Sequence, residues 1–151
     1  MLREDINNAL RLAMKAREER RVSTLRLVNA AIKDRDIEAR GLGRQPLSDE
    51  ELLGLFQKMI KQRHESKELF EKGGRADLAR QEAEEIEIIT SYLPKQMSDD
   101  EIKAAIAAAI RETGAATMKD MGRVVGVLRG QYAGRMDFGK ASGLVRGMLS
   151  A

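Results

Sequence analysis

The chain has no cysteine and no tryptophan, and only two prolines and one histidine in 151 residues. Without cysteine there is no disulfide and no thiolate chemistry, and a reducing compartment fits. His64 is the only histidine, so a zinc site built from His and Cys ligands is excluded. Aromatic residues make up 3% of the chain, so the core must be aliphatic and methionine-based. No apolar run approaches the roughly 20 residues of a membrane span. The start, Met1-Leu2-Arg3-Glu4-Asp5, lacks the apolar stretch of a signal peptide. The expectation is a soluble cytoplasmic protein with no membrane partner. No segment sustains a period-two alternation, so no strand is expected.

What the chain does have is charge and helix formers. Charged residues account for 34% and apolar ones for 42%, which points to an all-α protein. Residues 1–46 carry a net charge of +4, residues 47–94 of −4, and residues 95–151 of +3. Most of this is the solvated surface of helices laced with i,i+4 pairs. The alternation also lets basic ends meet an anion while the acidic middle faces elsewhere.

Leu2, Ile6, Ala9, Leu10, Ala13 and Met14 form the stripe of a first helix. A second helix starts near Ser23, with Leu25, Val28, Ala31, Ile32 and, at its margin, Ile37 inward. Gly41, Gly43 and Pro46 break it. Ser48 and Glu51 read as a capping box. The third helix carries Leu52, Phe56, Met59, Ile60, Leu69 and Phe70 and stops at Gly73-Gly74. A fourth runs from about Ala76 to Ser91. Tyr92-Leu93-Pro94 is the strongest boundary, because proline disfavours helix at the residue before it. A second capping box, Ser98 with Glu101, opens an alanine-rich fifth helix that Gly114 ends. Two more begin near Thr117 and Asp137. The expected architecture is all-α: an N-terminal four-helix unit, 1–94, then a small three-helix unit, 95–151.

Catalytic groups are scarce. His64 lies at the edge of an apolar stripe, where a surface hydrogen bond is its ordinary role. The serines lack the setting of a nucleophile elbow, and Ser48 and Ser98 are explained as caps. The run Glu82-Ala83-Glu84-Glu85-Ile86-Glu87 reads as a solvated face. No glycine pattern matches a Walker loop or G-x-G-x-x-G after a strand. No catalytic residue, metal or cofactor is expected.

The distinctive pattern is two glycine ladders. Gly122, Gly126, Gly130 and Gly134 recur every four residues, and Gly139, Gly143 and Gly147 repeat the spacing. Such positions share one helix face, and each glycine costs roughly 1 kcal/mol relative to alanine. Two reasons compete: close packing of two helices and approach to a polyanion. The plainer reading is that the helices cross glycine face to glycine face, through Gly122, Gly126, Gly130, Gly139, Gly143 and Gly147. The same region holds Lys119, Arg123, Arg129, Arg135, Lys140 and Arg146 against Asp120 and Asp137. These six cations are candidate phosphate contacts. Lys58, Lys61 and Arg63 form a second candidate cluster, with Glu65, Glu68 and Glu71 close behind. No aromatic residue interleaves Lys58, Lys61 and Arg63, so shape and backbone, not base stacking, would carry RNA binding there.

The order of blocks along the chain resembles the GatB/YqeY family. The blocks are Ala13-Met14-Lys15-Ala16, Ser23-Thr24-Leu25-Arg26-Leu27, Ala30-Ala31-Ile32-Lys33, Lys61-Gln62-Arg63-His64-Glu65-Ser66 and Gly74-Arg75-Ala76-Asp77-Leu78-Ala79. Glu82, Glu85, Tyr92-Leu93-Pro94, Asp120-Met121-Gly122-Arg123 and Gly134-Arg135-Met136-Asp137 complete the series. The chain is similar to the free-standing YqeY type. In the GatB subunit of tRNA-dependent amidotransferases, a similar helical unit follows a catalytic cradle, and its tail touches tRNA. This chain lacks that cradle. The resemblance therefore implies an all-helical fold and a tRNA-related role without carrying catalysis over. The expected function is a non-catalytic helical module that binds tRNA. The alternatives are amide transfer, as a carbon–nitrogen ligase with glutamine as donor, and docking on an amidotransferase or an aminoacyl-tRNA synthetase.

Overall fold

The computed structural model describes residues 1–149. Ser150 and Ala151, the end of the expected 95–151 unit, lie outside the described residues. Among the described residues the chain forms seven α-helices, one 3-10 turn and no strand. It divides into two compact units, Met1–Leu93 and Pro94–Ala151.

The first unit holds α1 (Leu2–Ala16), α2 (Glu19–Gly41), α3 (Asp49–Lys72) and α4 (Ala76–Thr90). Helix α2 thus starts a turn earlier than its apolar pattern indicates. Its second residue, Arg20, already works: its carbonyl accepts from the buried Thr24 hydroxyl at 2.7 Å. Ser48 caps α3 reciprocally. Its hydroxyl accepts from the Glu51 N–H, and the Glu51 carboxylate accepts from the Ser48 N–H. Helices α1 and α2 pair, α3 and α4 pair, and α2 packs on α4. The core joins Ile6, Leu25, Val28, Ile32, Leu52, Leu55, Phe56, Met59 and Ile89. Phe56 is its only aromatic member, so methyl groups and a thioether fill the rest. A polar lock holds α1 to α2. Arg3 donates to Asp36 at 2.8 Å and to the Leu47 carbonyl at 2.8 Å, and the Leu47 N–H donates back to Asp36 at 2.9 Å. Arg3 therefore holds the Asp36 carboxyl below its usual range.

Three residues expected inward face solvent instead: Met14, Ile37 and Leu69. Helix α2 explains Ile37. It carries apolar residues on two opposite faces, and periodicity does not say which one meets the core.

The second unit holds α5 (Asp99–Thr113), a 3-10 turn (Met118–Asp120), α6 (Met121–Tyr132) and α7 (Phe138–Leu149). Ser98 and Glu101 form the expected capping box, and Gly114 ends α5 in a left-handed conformation. Ile102, Ala105, Ile106, Ala109, Val124, Leu128, Met136, Ala141, Val145 and Leu149 make the core. The lead-in segment of residues 95–97 is pinned to the α6–α7 turn. Met97 N–H donates to the Arg135 carbonyl at 3.0 Å and Gln96 to the Gly134 carbonyl at 2.6 Å. Gly134 is buried at φ +76°, so it serves this turn and is not a helical rung.

Candidate nucleic-acid interface

The glycine ladders point the wrong way for packing. Helices α6 and α7 do pack on each other, but through Val124 and Leu128 on one and Ala141, Val145 and Leu149 on the other. Gly122, Gly126, Gly130, Gly139, Gly143 and Gly147 are all exposed. A Cβ added at Gly122, Gly126, Gly130, Gly143 or Gly147 would meet nothing within 4 Å. At Gly139 it would meet only the Asp137 carboxylate, at 3.2 Å. The expected close helix packing at these six glycines is therefore corrected. The reason is geometric. Val124 and Leu128 repeat at the same four-residue spacing, two residues out of phase with the glycines. Two residues are roughly 200° on a helix, so burying the aliphatic stripe turns the glycine stripe outward.

The cations flank these stripes. On α6, roughly 100° per residue puts Arg123 on one side of the glycine row and Arg129 on the other. On α7, Lys140 and Arg146 flank Gly139, Gly143 and Gly147 in the same way. Lys119, Arg123, Arg129, Lys140 and Arg146 are exposed, and Arg135 is half-buried. Arg123 pairs with Asp120 at 2.6 Å and Lys140 with Asp99 at 2.9 Å. The Arg129 guanidinium lies over the Phe138 ring at 5.6 Å, and Arg135 over Tyr132 at 5.8 Å. These stacks orient two guanidinium planes that would otherwise be free rotors. Arg135 also donates to the Lys95 carbonyl at 3.1 Å, which commits it to the turn.

Asp120 organises the entry to α6. Its carboxylate accepts from the Ala116 N–H at 2.9 Å, from Arg123 at 2.6 Å and from the Thr117 N–H at 3.2 Å. The Ala116 bond, then Arg123 and Thr117, lower its pKa from 3.8 to about 2. A depressed carboxylate stabilises the fold above its unfolded pKa and loses that contribution as pH falls through the folded value. Asp120→Asn should therefore flatten the fall in melting temperature between about pH 4 and pH 2. An unchanged pH profile would show that these bonds are not formed in solution.

The second cation cluster does not hold together. Lys58 and Lys61 are exposed on α3, but Arg63 turns inward. Its Nε donates to Glu85 at 3.1 Å and its Nη1 to the Met59 carbonyl at 3.2 Å. Arg63 is removed from the candidate phosphate contacts. Glu85 likewise leaves the expected solvated run, and Glu84 pairs with Arg20 at 3.0 Å. The sequence carries the signal for this. Glu82, Glu85 and Ile89 are spaced three and four apart, on the inward stripe of α4. His64 is exposed on α3. Among the described residues no group of three or more His, Asp or Glu side chains could hold a metal ion.

The family model described as Yqey-like protein matches residues 3–149. Similar curated proteins bear the name altered inheritance of mitochondria protein 41, mitochondrial. The one from Lachancea thermotolerans is 36% identical over 110 residues, 72% of this chain and 57% of that protein. The one from Eremothecium gossypii is 34% identical over 84 residues, 56% of this chain and 44% of that protein. The one from Vanderwaltozyma polyspora is 28% identical over 118 residues, 74% of this chain and 62% of that protein. The chain thus spans about half the length of the relatives it matches. Their names overturn the cytoplasmic expectation. Lack of cysteine and of a membrane-length apolar run does not distinguish one aqueous compartment from another. With a match over nearly its whole length, the chain belongs to the Yqey-like, or GatB/YqeY, family of small helical proteins.

Proposed function

We propose that this protein is a non-catalytic RNA-binding accessory module whose ligand is a folded RNA of the tRNA kind. The observation that carries the reading is the pair of exposed glycine stripes on α6 and α7, each flanked by cations. A glycine stripe leaves helix backbone bare, so a sugar–phosphate chain can lie close against it. The flanking arginines and lysines then reach phosphates from both sides, and counterion release supplies affinity. Recognition by shape suits a structured RNA, since the rings beside the cations, Tyr132 and Phe138, are half-buried and already stacked by Arg135 and Arg129.

Lys119→Glu with Arg146→Glu tests the reading, because both side chains are exposed and such changes alter stability by only about ±0.5 kcal/mol each. The double variant should keep its melting temperature and bind tRNA more weakly. The slope of log affinity against log salt should fall by about one unit per lost phosphate contact. Wild-type protein that fails to bind tRNA even at low salt sinks the proposal. Docking on an amidotransferase or an aminoacyl-tRNA synthetase then replaces it. Amide transfer is tested separately, as ammonia release from glutamine by the pure protein.

A further inference from the structure

We infer that the outer face of α2 docks an acidic amphipathic helix of a partner protein. This surface is independent of the RNA reading. The inward face of α2 is spent on Leu25, Val28, Ile32 and Ala39. Its outer face presents Ser23, Leu27, Ala30, Asp34, Ile37 and Gly41, all exposed. Their spacing alternates four and three, the spacing at which one helix meets another, with Leu27, Ala30 and Ile37 as the apolar members. Leu27 is 47% and Ile37 55% exposed, although large aliphatic side chains at seam spacing belong in contact. From Ser23 to Gly41 the seam runs about 27 Å at 1.5 Å per residue, a length that a three-heptad helix of about 31 Å covers.

The charges beside the seam choose the occupant. Arg26, Lys33 and Arg40 are exposed, lie seven residues apart and form one basic row along one flank. An antiparallel second copy would set this row against its own duplicate, three like charges opposite three. A parallel second copy would set Asp34 against Asp34 inside the seam. Both self-pairings are penalised. A foreign helix with glutamate or aspartate along the matching flank, and a cation opposite Asp34, relieves both.

The test uses the full chain and three synthetic three-heptad peptides. One has a leucine seam with glutamate flanks and a lysine opposite Asp34. The second has lysine flanks. The third has glutamate flanks and a serine seam. Fluorescence anisotropy should show the first binding, with the other two weaker by about tenfold or more, the scale of three surface ion pairs reversed in sign. Arg26→Glu, Lys33→Glu and Arg40→Glu together should swap the preference to the lysine-flanked peptide. Leu27→Ser with Ile37→Ser should abolish binding, with helicity unchanged by circular dichroism. Equal affinity for both flank charges overturns the inference, as does no binding of the first peptide. So does self-association in sedimentation that Ile37→Glu disrupts, which assigns the face to a second copy. Loss of tRNA binding in the triple reversal also overturns it, because the basic row would then belong to RNA.

Discussion

Replacing Gly122, Gly126, Gly130, Gly143 and Gly147 together by alanine should raise the stability of this protein and lower its affinity for RNA. Each glycine lies in a helix with open space where a Cβ would stand. Alanine at such a site stabilises by about 0.4–1 kcal/mol, mainly by restricting the unfolded chain. Five sites give about 2–5 kcal/mol. For a chain of 151 residues melting as a whole that is a rise of roughly 4–20 °C in melting temperature. Five methyl groups on the outward faces of α6 and α7 would also hold a sugar–phosphate chain away from the backbone. Thermal melts and a tRNA titration on the same variant read both effects. Higher stability with unchanged RNA affinity would separate the glycines from the ligand. Lower stability would mean that these faces are packed in solution, the arrangement the ladder spacing alone suggests. Gly139 is left out because its N–H donates to Asp137 at 2.9 Å and a Cβ there meets that carboxylate.

The contrast between legible and illegible features follows from the range of the forces involved. Ser48 with Glu51 and Ser98 with Glu101 were readable because a cap is local chemistry, complete within four residues. Gly114 was readable for the same reason, since one left-handed residue stops a helix wherever it sits. The all-helical class followed from composition and from stripes such as that of α1. The direction in which a stripe faces was not local. On α6 two rows share one period, Val124 with Leu128 and Gly122 with Gly126 and Gly130. Only the demand to bury aliphatic area decides between them. That criterion is present in the residues, but the cost of a helical glycine argues for the opposite, packed orientation. On α2 the pattern separates Val28 and Ile32 from Leu27, but Ile37, on the opposite face, is apolar too and is not separated from the inward row. The inward turn of Arg63 was hidden by its neighbours. Lys58, Lys61 and Arg63 look alike as charges, and only a partner 22 residues away distinguishes the third.

That partner makes the loss of the Arg63 side chain costly to the first unit. Its side chain is 14% exposed and that of Glu85 7%. Among the described residues, the other oxygen of Glu85 accepts only from Gln81, at 3.5 Å. Glu82 lies alongside, with one buried carboxylate oxygen that has no hydrogen-bond partner. Burial, and then the charge of Glu85, push the Glu82 carboxyl above its usual range, and Arg63 pulls it back. Arg63 thus faces two carboxylates that water reaches poorly. Arg63→Met removes the cation and leaves Glu85 charged and buried, which should cost about 3–5 kcal/mol. Arg63→Met with Glu85→Leu removes both charges and fills the site with apolar volume. The double variant should therefore recover most of that loss, since an apolar pair replaces a buried ion pair at little net cost. Hydrogen exchange in α3 and α4 measures the effect where it arises, free of the second unit. Exchange in both variants at wild-type rates would mean that the pair is solvated. An Arg63→Met protein with unaltered stability and weakened tRNA binding would return Arg63 to the phosphate-contacting cations.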